Sequence, residues 1–228
     1  MYGGECVVKM KRGVFCGLLL VVILTINVFA AEKMLSYEET TGDKTIVSKW
    51  VVKSSADSYE VIAKSPGEYH RVVCTRDYST NSWEYQQEEA GTDLRARWEK
   101  DLLIIRGMHN KKVVQKEIEL HQLPWFQFVE FSLADFIQSD KDKTEFWIIQ
   151  PYNLKHYKMV AIKERTEMIV VADQEVEAIR VKVTLPGIAS IFWSARYWYR
   201  KSDGVYLRYE GVRGGPGTPK TVVELINE

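Results

Sequence analysis

The sequence lacks an excess of charge of either sign, because 31 lysine and arginine residues balance 31 aspartate and glutamate residues. Nucleic-acid binding normally needs a basic surplus on one face of a domain, so the balance argues against a nucleic-acid partner. The sequence also lacks a Gly-x-Ser-x-Gly motif and any cysteine with a recognisable histidine context. We therefore expect a protein that is not an enzyme and that uses no cofactor.

One glycine-rich stretch, Gly211 to Lys220, invites a phosphate-binding interpretation but departs from the motif. Its lysine does not follow a glycine, and residues 221–225 after it are typical of a strand. No helix N-terminus is then available to hold an anion. We predict a long turn between two strands, whose surface could contact another molecule.

Residues 1–30 have the three parts of a secretory signal peptide. Lys11 and Arg12 supply positive charge, an apolar run extends from residue 14 to residue 29, and Ala30 and Ala31 suit a signal peptidase. The apolar run is shorter than the roughly 20 residues that usually span a bilayer, which favours cleavage over retention as an anchor. We predict export and a periplasmic location.

Removal of residues 1–30 leaves a chain, 31–228, that is long enough for a single domain with a sizeable core. Cys6 and Cys16 leave with the signal, so Cys74 cannot form an intrachain disulfide. Cys74 lies in a strand-like stretch, and we predict that it is a buried apolar residue rather than a nucleophile.

The remaining sequence reads as short β-prone runs separated by turn residues, which predicts an antiparallel meander of about twelve strands. In 179–185, apolar residues alternate with charged or polar ones, so this strand should have one dry and one wet face. Asp203 and Gly204 predict a turn between two aromatic-rich strands, 192–200 and 205–210. The predicted fold is mainly β: a strongly curved antiparallel sheet, or an incomplete β-barrel, with an apolar inner surface.

Residues 124–138 do not alternate and predict one short helix or two. Their apolar residues recur at steps of three and four, the helical period. Pro124 suits the first turn of a helix, and Ser132 with Asp135 could cap a second helix. We expect this segment to pack on the concave side of the sheet.

Two groups of polar side chains could carry chemistry. Glu117, Glu119 and His121 alternate along one strand and could ligate a metal, but the opposite face is apolar, which leaves this charged face to water. We predict no metal site.

The second group is an arginine–aromatic face on the hairpin that contains strand 192–200. Arg196, Trp198 and Arg200 lie on one side of that strand, opposite Trp193, Tyr197 and Tyr199, and Arg208 of the next strand could join the first set. Such a face could hold an anionic head group, or it could be a solvated sheet face; the second interpretation is favoured.

The sequence resembles a group of uncharacterised periplasmic proteins with a curved β-sheet. The resemblance depends on residues 124–127 and 131–133, on 198–211, and on the Gly-Gly-Pro-Gly-Thr-Pro loop. More distantly, the architecture is similar to the lipoprotein-carrier superfamily of LolA and LolB, whose half-barrels enclose an apolar cavity for acyl chains. That resemblance implies hydrophobic-ligand carriage, although this chain lacks a lipobox and has one helical segment where the carriers have several.

These observations lead to three functional hypotheses. The first is a periplasmic protein that binds a lipid, lipoprotein or other amphipathic ligand in the concavity beneath 124–138 and can touch the membrane surface. The second is a structural or assembly partner of an envelope protein, which would use loop 211–219 and the sheet edges; an enzyme is the third. For the first we predict five lining residues, although for each one taken alone ordinary core packing is the favoured interpretation: Trp125, Phe128, Phe136, Trp193 and Trp198.

Overall fold

The computed structural model describes residues 1, 3, 31–99, 102–213 and 217–228. The predicted signal peptide lies outside these residues, apart from Met1 and Gly3, and stays a prediction. The described part forms fourteen strands, two short helices and a 3-10 turn at Gly187–Ile191. In chain order the elements are β1 Ala31–Thr41, β2 Lys44–Ser54, β3 Ser58–Ser65, β4 Glu68–Thr75, β5 Thr80–Gln87, β6 Thr92–Glu99, β7 Leu102–His109, β8 Lys112–Glu119, α1 Val129–Ser132, α2 Ala134–Gln138, β9 Lys143–Ile149, β10 His156–Val171, β11 Gln174–Thr184, β12 Ser194–Arg200, β13 Tyr206–Gly211 and β14 Thr221–Asn227.

All fourteen strands belong to one antiparallel sheet, which confirms the predicted mainly β fold with an unclosed, curved sheet. The sheet order is β8-β7-β6-β5-β4-β3-β2-β1-β14-β13-β12-β11-β10-β9. Every neighbouring pair is consecutive along the chain except β1 and β14, which join the two halves. The edges of the sheet are β8 and β9.

The expected count of about twelve strands was too low, chiefly because β1 was missed. Its inward positions include Leu35, Tyr37 and Glu39, the last of which is charged. A charged inward residue weakens the alternation that identifies a half-buried strand. Even so, β1 lies in the middle of the sheet, between β2 and β14.

The alternation of the strands produces the core. On β11, Val181 and Val183 are buried whereas Lys182 between them is half-buried, as predicted, but Thr184, which was expected on the solvent-exposed face, is buried as well. The inner face is dominated by large side chains that are almost fully buried, including Trp83, Tyr199 and Leu94. Each such side chain contributes roughly 1.5–3 kcal/mol relative to exposure, so the inner face is the main stabilising feature of the fold.

The helical segment packs inside the curved sheet, as predicted, but begins later than expected. Pro124 is not in a helix: its carbonyl oxygen accepts a hydrogen bond from Trp147 N of β9 at 2.8 Å, in extended pairing. The prediction that Ser132 caps the second helix is also wrong. The N-cap of α2 is Leu133, and no side chain forms a capping hydrogen bond with that helix. Leu133 is fully buried, and Tyr199 Oη donates to the Val129 carbonyl at 3.1 Å.

The loops between strands lie at two ends of the curved sheet. The registers place the turns after β1 and β3, the β9–β10 loop, residues 185–193 and residues 212–213 at one end, here called the upper end. The β12–β13 turn lies at the opposite, lower end. There Gly204 has a φ of +72°, and a Cβ on it would lie 3.0 Å from the Ala134 carbonyl oxygen. The helices therefore fill the lower half of the interior and leave the upper half to a cavity.

Candidate ligand-binding cavity

A cavity of about 490 Å³ occupies the upper half of the concave side. Its floor is the start of the helical segment, where Phe128, Val129 and Glu130 line it. Its rim is formed by the upper-end loops, with Gln150–Tyr152 on one side and Trp193 and Arg213 on another. The volume lies within the range of small-molecule sites, which is roughly 300–1,000 Å³.

The wall of the cavity is largely aromatic. Trp50 stacks on Tyr206 with ring centroids 5.8 Å apart and planes 10° apart, and it also contacts Phe128 at 4.6 Å. Tyr197 and Tyr209 meet edge to face at 5.0 Å. These rings present flat, rigid surfaces, which favour contact with apolar or aromatic groups.

Three carboxylates reach the same cavity, so the expectation of an apolar inner surface was wrong in its upper half. Glu39 comes from β1, Glu68 from the start of β4 and Glu130 from α1; together they are here called the carboxylate cluster. These positions are far apart in the sequence and meet only because the sheet curls. Arg213 lies between two of them, with Nη1 2.7 Å from Glu39 Oε2 and Nη2 3.9 Å from Glu130 Oε1.

The electrostatics of the cavity reflect this crowding. Burial raises the pKa of Glu39, the charges of Glu68 and Glu130 raise it further, and the Arg213 guanidinium only partly offsets both. Burial acts the same way on Glu68, but hydrogen bonds from His70, at 3.0 Å, and from Tyr85, together with the charge of Arg213, outweigh it and leave the pKa of Glu68 lowered. Trp83 Nε1 lies 3.4 Å from His70 Nδ1, which holds the imidazole toward the glutamate.

Two of the five predicted lining residues border the cavity. Phe128 forms part of the floor, and Trp193 forms part of the rim, where its Nε1 donates to the Val212 carbonyl at 2.9 Å. Their role in binding stays a prediction, since neither contact identifies a ligand.

The other three predicted residues lie elsewhere. Trp125 is buried beside Trp98, and its Nε1 donates to Gln127 Oε1 at 2.8 Å. Phe136 borders a separate depression that Pro124 and Thr144 also line. Trp198 points away from the cavity: its Nε1 donates to Glu167 Oε1 at 2.8 Å. Aromatic density alone could not separate these positions, because a buried ring and a cavity-lining ring have the same pattern in the sequence.

Trp198 belongs to the arginine–aromatic face on the outer side of the sheet. The Arg208 guanidinium lies over its ring at 5.6 Å, as expected if Arg208 joined this face. Arg208 is paired with Glu210 and Glu224, and Arg196 is paired with Glu164. These carboxylates occupy the guanidinium groups, which supports the solvated-face interpretation over an anion site.

The remaining sequence candidates do not form a site. His121 Nε2 lies 3.2 Å from Glu119 Oε2, and both side chains are largely exposed. Among the described residues no group of three or more histidine, cysteine, aspartate or glutamate residues is arranged to hold a metal ion. Cys74 is fully buried, which confirms its predicted burial, and that burial raises the pKa of its thiol to about 12. The glycine-rich stretch lies partly outside the described residues, at 214–216.

Next to the rim, residues 187–192 form an exposed apolar segment, here called the apolar loop. Its side chains Ile188, Ile191 and Phe192 are 83%, 75% and 79% exposed. The loop leads into Trp193, whose carbonyl accepts a hydrogen bond from Thr184 Oγ1 at 2.8 Å. Three of the exposed apolar side chains of the upper end thus lie beside the cavity mouth.

Within the described residues, no helix is both long enough and apolar enough to span a bilayer.

No protein-family model and no curated protein matches the sequence. The structure matches that of a β-barrel-like protein of a domain of unknown function, DUF1849, from Brucella abortus, with a TM-score of 0.60 and 6% identity over 88% of this chain and 97% of that chain. This match confirms the predicted resemblance to an uncharacterised curved-sheet family at the level of fold. A LolA superfamily protein from Nitrosomonas europaea also matches, over 87% of this chain and 84% of that chain at 8% identity, but its TM-score of 0.27 supports no argument about function.

Proposed function

We propose that this chain is a non-enzymatic binding protein of the bacterial periplasm that holds an amphipathic ligand in the upper cavity. The observation that carries the proposal is the cavity itself, which combines an aromatic wall with a polar rim. An apolar tail would contact Trp50, Phe128 and Tyr206, and a polar head would remain near the carboxylate cluster. Export by the predicted signal peptide is the basis for the proposed location.

A variant that fills the cavity tests this proposal. Ser48 of β2 lines the cavity, whereas Val47 beside it in the strand points to the outer face and is 42% exposed. The change Ser48→Trp places an indole inside the cavity, and Val47→Trp adds the same group outside it. We expect Ser48→Trp to abolish binding of the uncharged, apolar fluorescent probe N-phenyl-1-naphthylamine and Val47→Trp to leave that binding unchanged.

Mass spectrometry of solvent extracts from the purified protein gives an independent measurement. We expect an amphipathic molecule to co-purify with the wild type and with Val47→Trp, but not with Ser48→Trp. Equal binding of the fluorescent probe by all three proteins, with no co-purified ligand, would refute a binding role for the cavity.

We further propose that the protein takes up its ligand at a lipid surface, using the apolar loop. Three large apolar side chains in one exposed segment cost free energy in water and gain it in the acyl boundary of a bilayer. Their position beside Trp193 would bring the cavity mouth against the membrane. Membrane docking through the apolar loop and entry of the ligand would then occur at the same rim of the cavity.

Co-sedimentation with vesicles of phosphatidylethanolamine and phosphatidylglycerol measures this contact. We expect the combined change Ile188→Ser, Ile191→Ser and Phe192→Ser to reduce vesicle binding strongly. The control replaces Met168 and Val170, which are exposed near the lower end, with serine. If both variants lost vesicle binding to the same extent, or if neither did, the apolar loop would have no special role at the membrane.

A further inference from the structure

The cavity carries an unbalanced negative charge. Glu39 and Glu130 share one guanidinium, that of Arg213, so this trio has one negative charge in excess. Glu68 adds a third carboxylate, whose partner His70 is an imidazole rather than a permanent cation. Lys64 also borders the rim, but its ammonium lies over the ring of Tyr69, 5.7 Å from the centroid. An anionic head group would meet net repulsion here, and a cation would meet attraction.

A second observation points to a ligand at the same place. Tyr206 lines the cavity and is only 3% exposed, yet its hydroxyl has no hydrogen-bond partner among the described residues. A buried hydroxyl without a partner costs free energy, and such groups are rare in folded proteins. Burial raises the pKa of Tyr206 well above its ordinary value, and the charge of Glu130 raises it further.

The aromatic wall favours the same sign of charge. The rings that line the cavity, including Tyr152 and Trp193 at the rim, carry negative quadrupole potential on their faces, which attracts a cation within about 6 Å of a ring centroid. An N–H donor additionally satisfies carboxylate oxygens and the free phenol oxygen. A quaternary ammonium has no N–H to donate, whereas a protonated primary amine has three.

We propose that the ligand of the upper cavity is an amphipath whose head group carries a protonated primary amine, bound between the carboxylate cluster and Tyr206. This inference rests on the proposed function, because it specifies the head group of the ligand held there. The ammonium donates to Glu68, to Glu130 and to the Tyr206 oxygen, while the alkyl chain lies along Trp50 and Phe128.

Four probes with the same alkyl chain separate the alternatives: dodecylamine, dodecyltrimethylammonium, dodecanol and dodecanoate, titrated calorimetrically below their micellar concentrations. We expect dodecylamine to bind about tenfold more tightly than dodecanol, and dodecanoate to bind most weakly. Dodecanol or dodecanoate binding as tightly as dodecylamine would overturn the inference but leave the proposed function standing. Failure of all four probes to bind would refute the proposed function, and the inference with it.

Two variants test the residues. We expect Glu68→Gln to weaken dodecylamine about tenfold and to leave dodecanol unchanged, because only the charge is removed. Tyr206→Phe should weaken dodecylamine but not dodecyltrimethylammonium. The control Glu84→Gln neutralises a carboxylate that pairs with Arg71 on the outer face. If Glu68→Gln weakened all probes equally, or if Glu84→Gln had the same effect, recognition of the amine by this cluster would be excluded.

Discussion

The change Leu133→Ala tests whether the helical segment is a packed floor of the cavity. Leu133 is fully buried and lies between α1 and α2, where its N–H donates to the Val129 carbonyl at 3.2 Å. Alanine keeps that hydrogen bond and removes three carbon atoms, worth about 0.8 kcal/mol each in transfer free energy. The cavity left behind adds to this, so we expect the free energy of unfolding to fall by about 3–4 kcal/mol.

Urea unfolding followed by tryptophan fluorescence measures this change. With a slope of about 2 kcal/mol per molar urea, the midpoint should fall by roughly 1.5–2 M while the slope stays constant. The matched control is Ile188→Ala, which removes a similar number of carbons from an exposed side chain and should cost less than about 0.5 kcal/mol. A loss below about 1 kcal/mol for Leu133→Ala would refute the tight packing of the segment against the sheet.

Two further predictions concern the sheet itself. Hydrogen bonds from Arg200 and Lys33 hold the pKa of Glu228 at about 2. A pKa that is lower in the folded state stabilises the fold at pH values above the unfolded pKa of roughly 4.5, and this stabilisation is lost as the pH falls through the folded value. Glu228→Gln should therefore lower the free energy of unfolding by about 1 kcal/mol at pH 7, after allowance for solvent screening, and should leave it unchanged below pH 2. A difference that persists in acid would mean lost packing instead of lost charge. Gly107 has a φ of +137°, and a Cβ there would lie 2.1 Å from the Asp93 carbonyl oxygen. Gly107→Ala should therefore lower stability by about 3 kcal/mol in urea unfolding, whereas Gly67→Ala, at a φ of +73° with open space around it, should cost only about 1 kcal/mol; equal losses would contradict the steric argument.

Much of the fold could be predicted because the strand signals are local. Alternation and turn residues predicted most strands and the β12–β13 hairpin, whose turn contains Gly204. A change from the strand period to the helical period predicted the helices within 124–138. What failed was the strand whose inward side is partly charged, β1, and the helical start at Pro124. Pro124 would suit a helix, but pairing with the edge of β9 satisfies the backbone there instead.

The site was less accessible from the sequence. Phe128 and Trp193 were found because aromatic residues in an apolar context are good candidates for any interior position. Glu39, Glu68, Glu130 and Arg213 were not, because their convergence depends on the curvature of the sheet. Glu39 and Arg213 form an ion pair although 174 positions separate them. A charged residue at an otherwise inward strand position, as at Glu39, was the one local signal that could have indicated the cavity.

The pairing of β1 with β14 has a consequence for how the chain acquires its shape. Every other pair joins consecutive strands, so β1–β8 and β9–β14 can each form by successive pairing of neighbouring hairpins as the chain leaves the ribosome. The pairing between the two halves can form only after β14 is available, since β1 pairs with β14 and not with a neighbour in sequence. Both halves of the sheet contribute to the cavity wall. A nascent or truncated chain that lacks β14 would therefore contain two separately paired sheets and no ligand cavity.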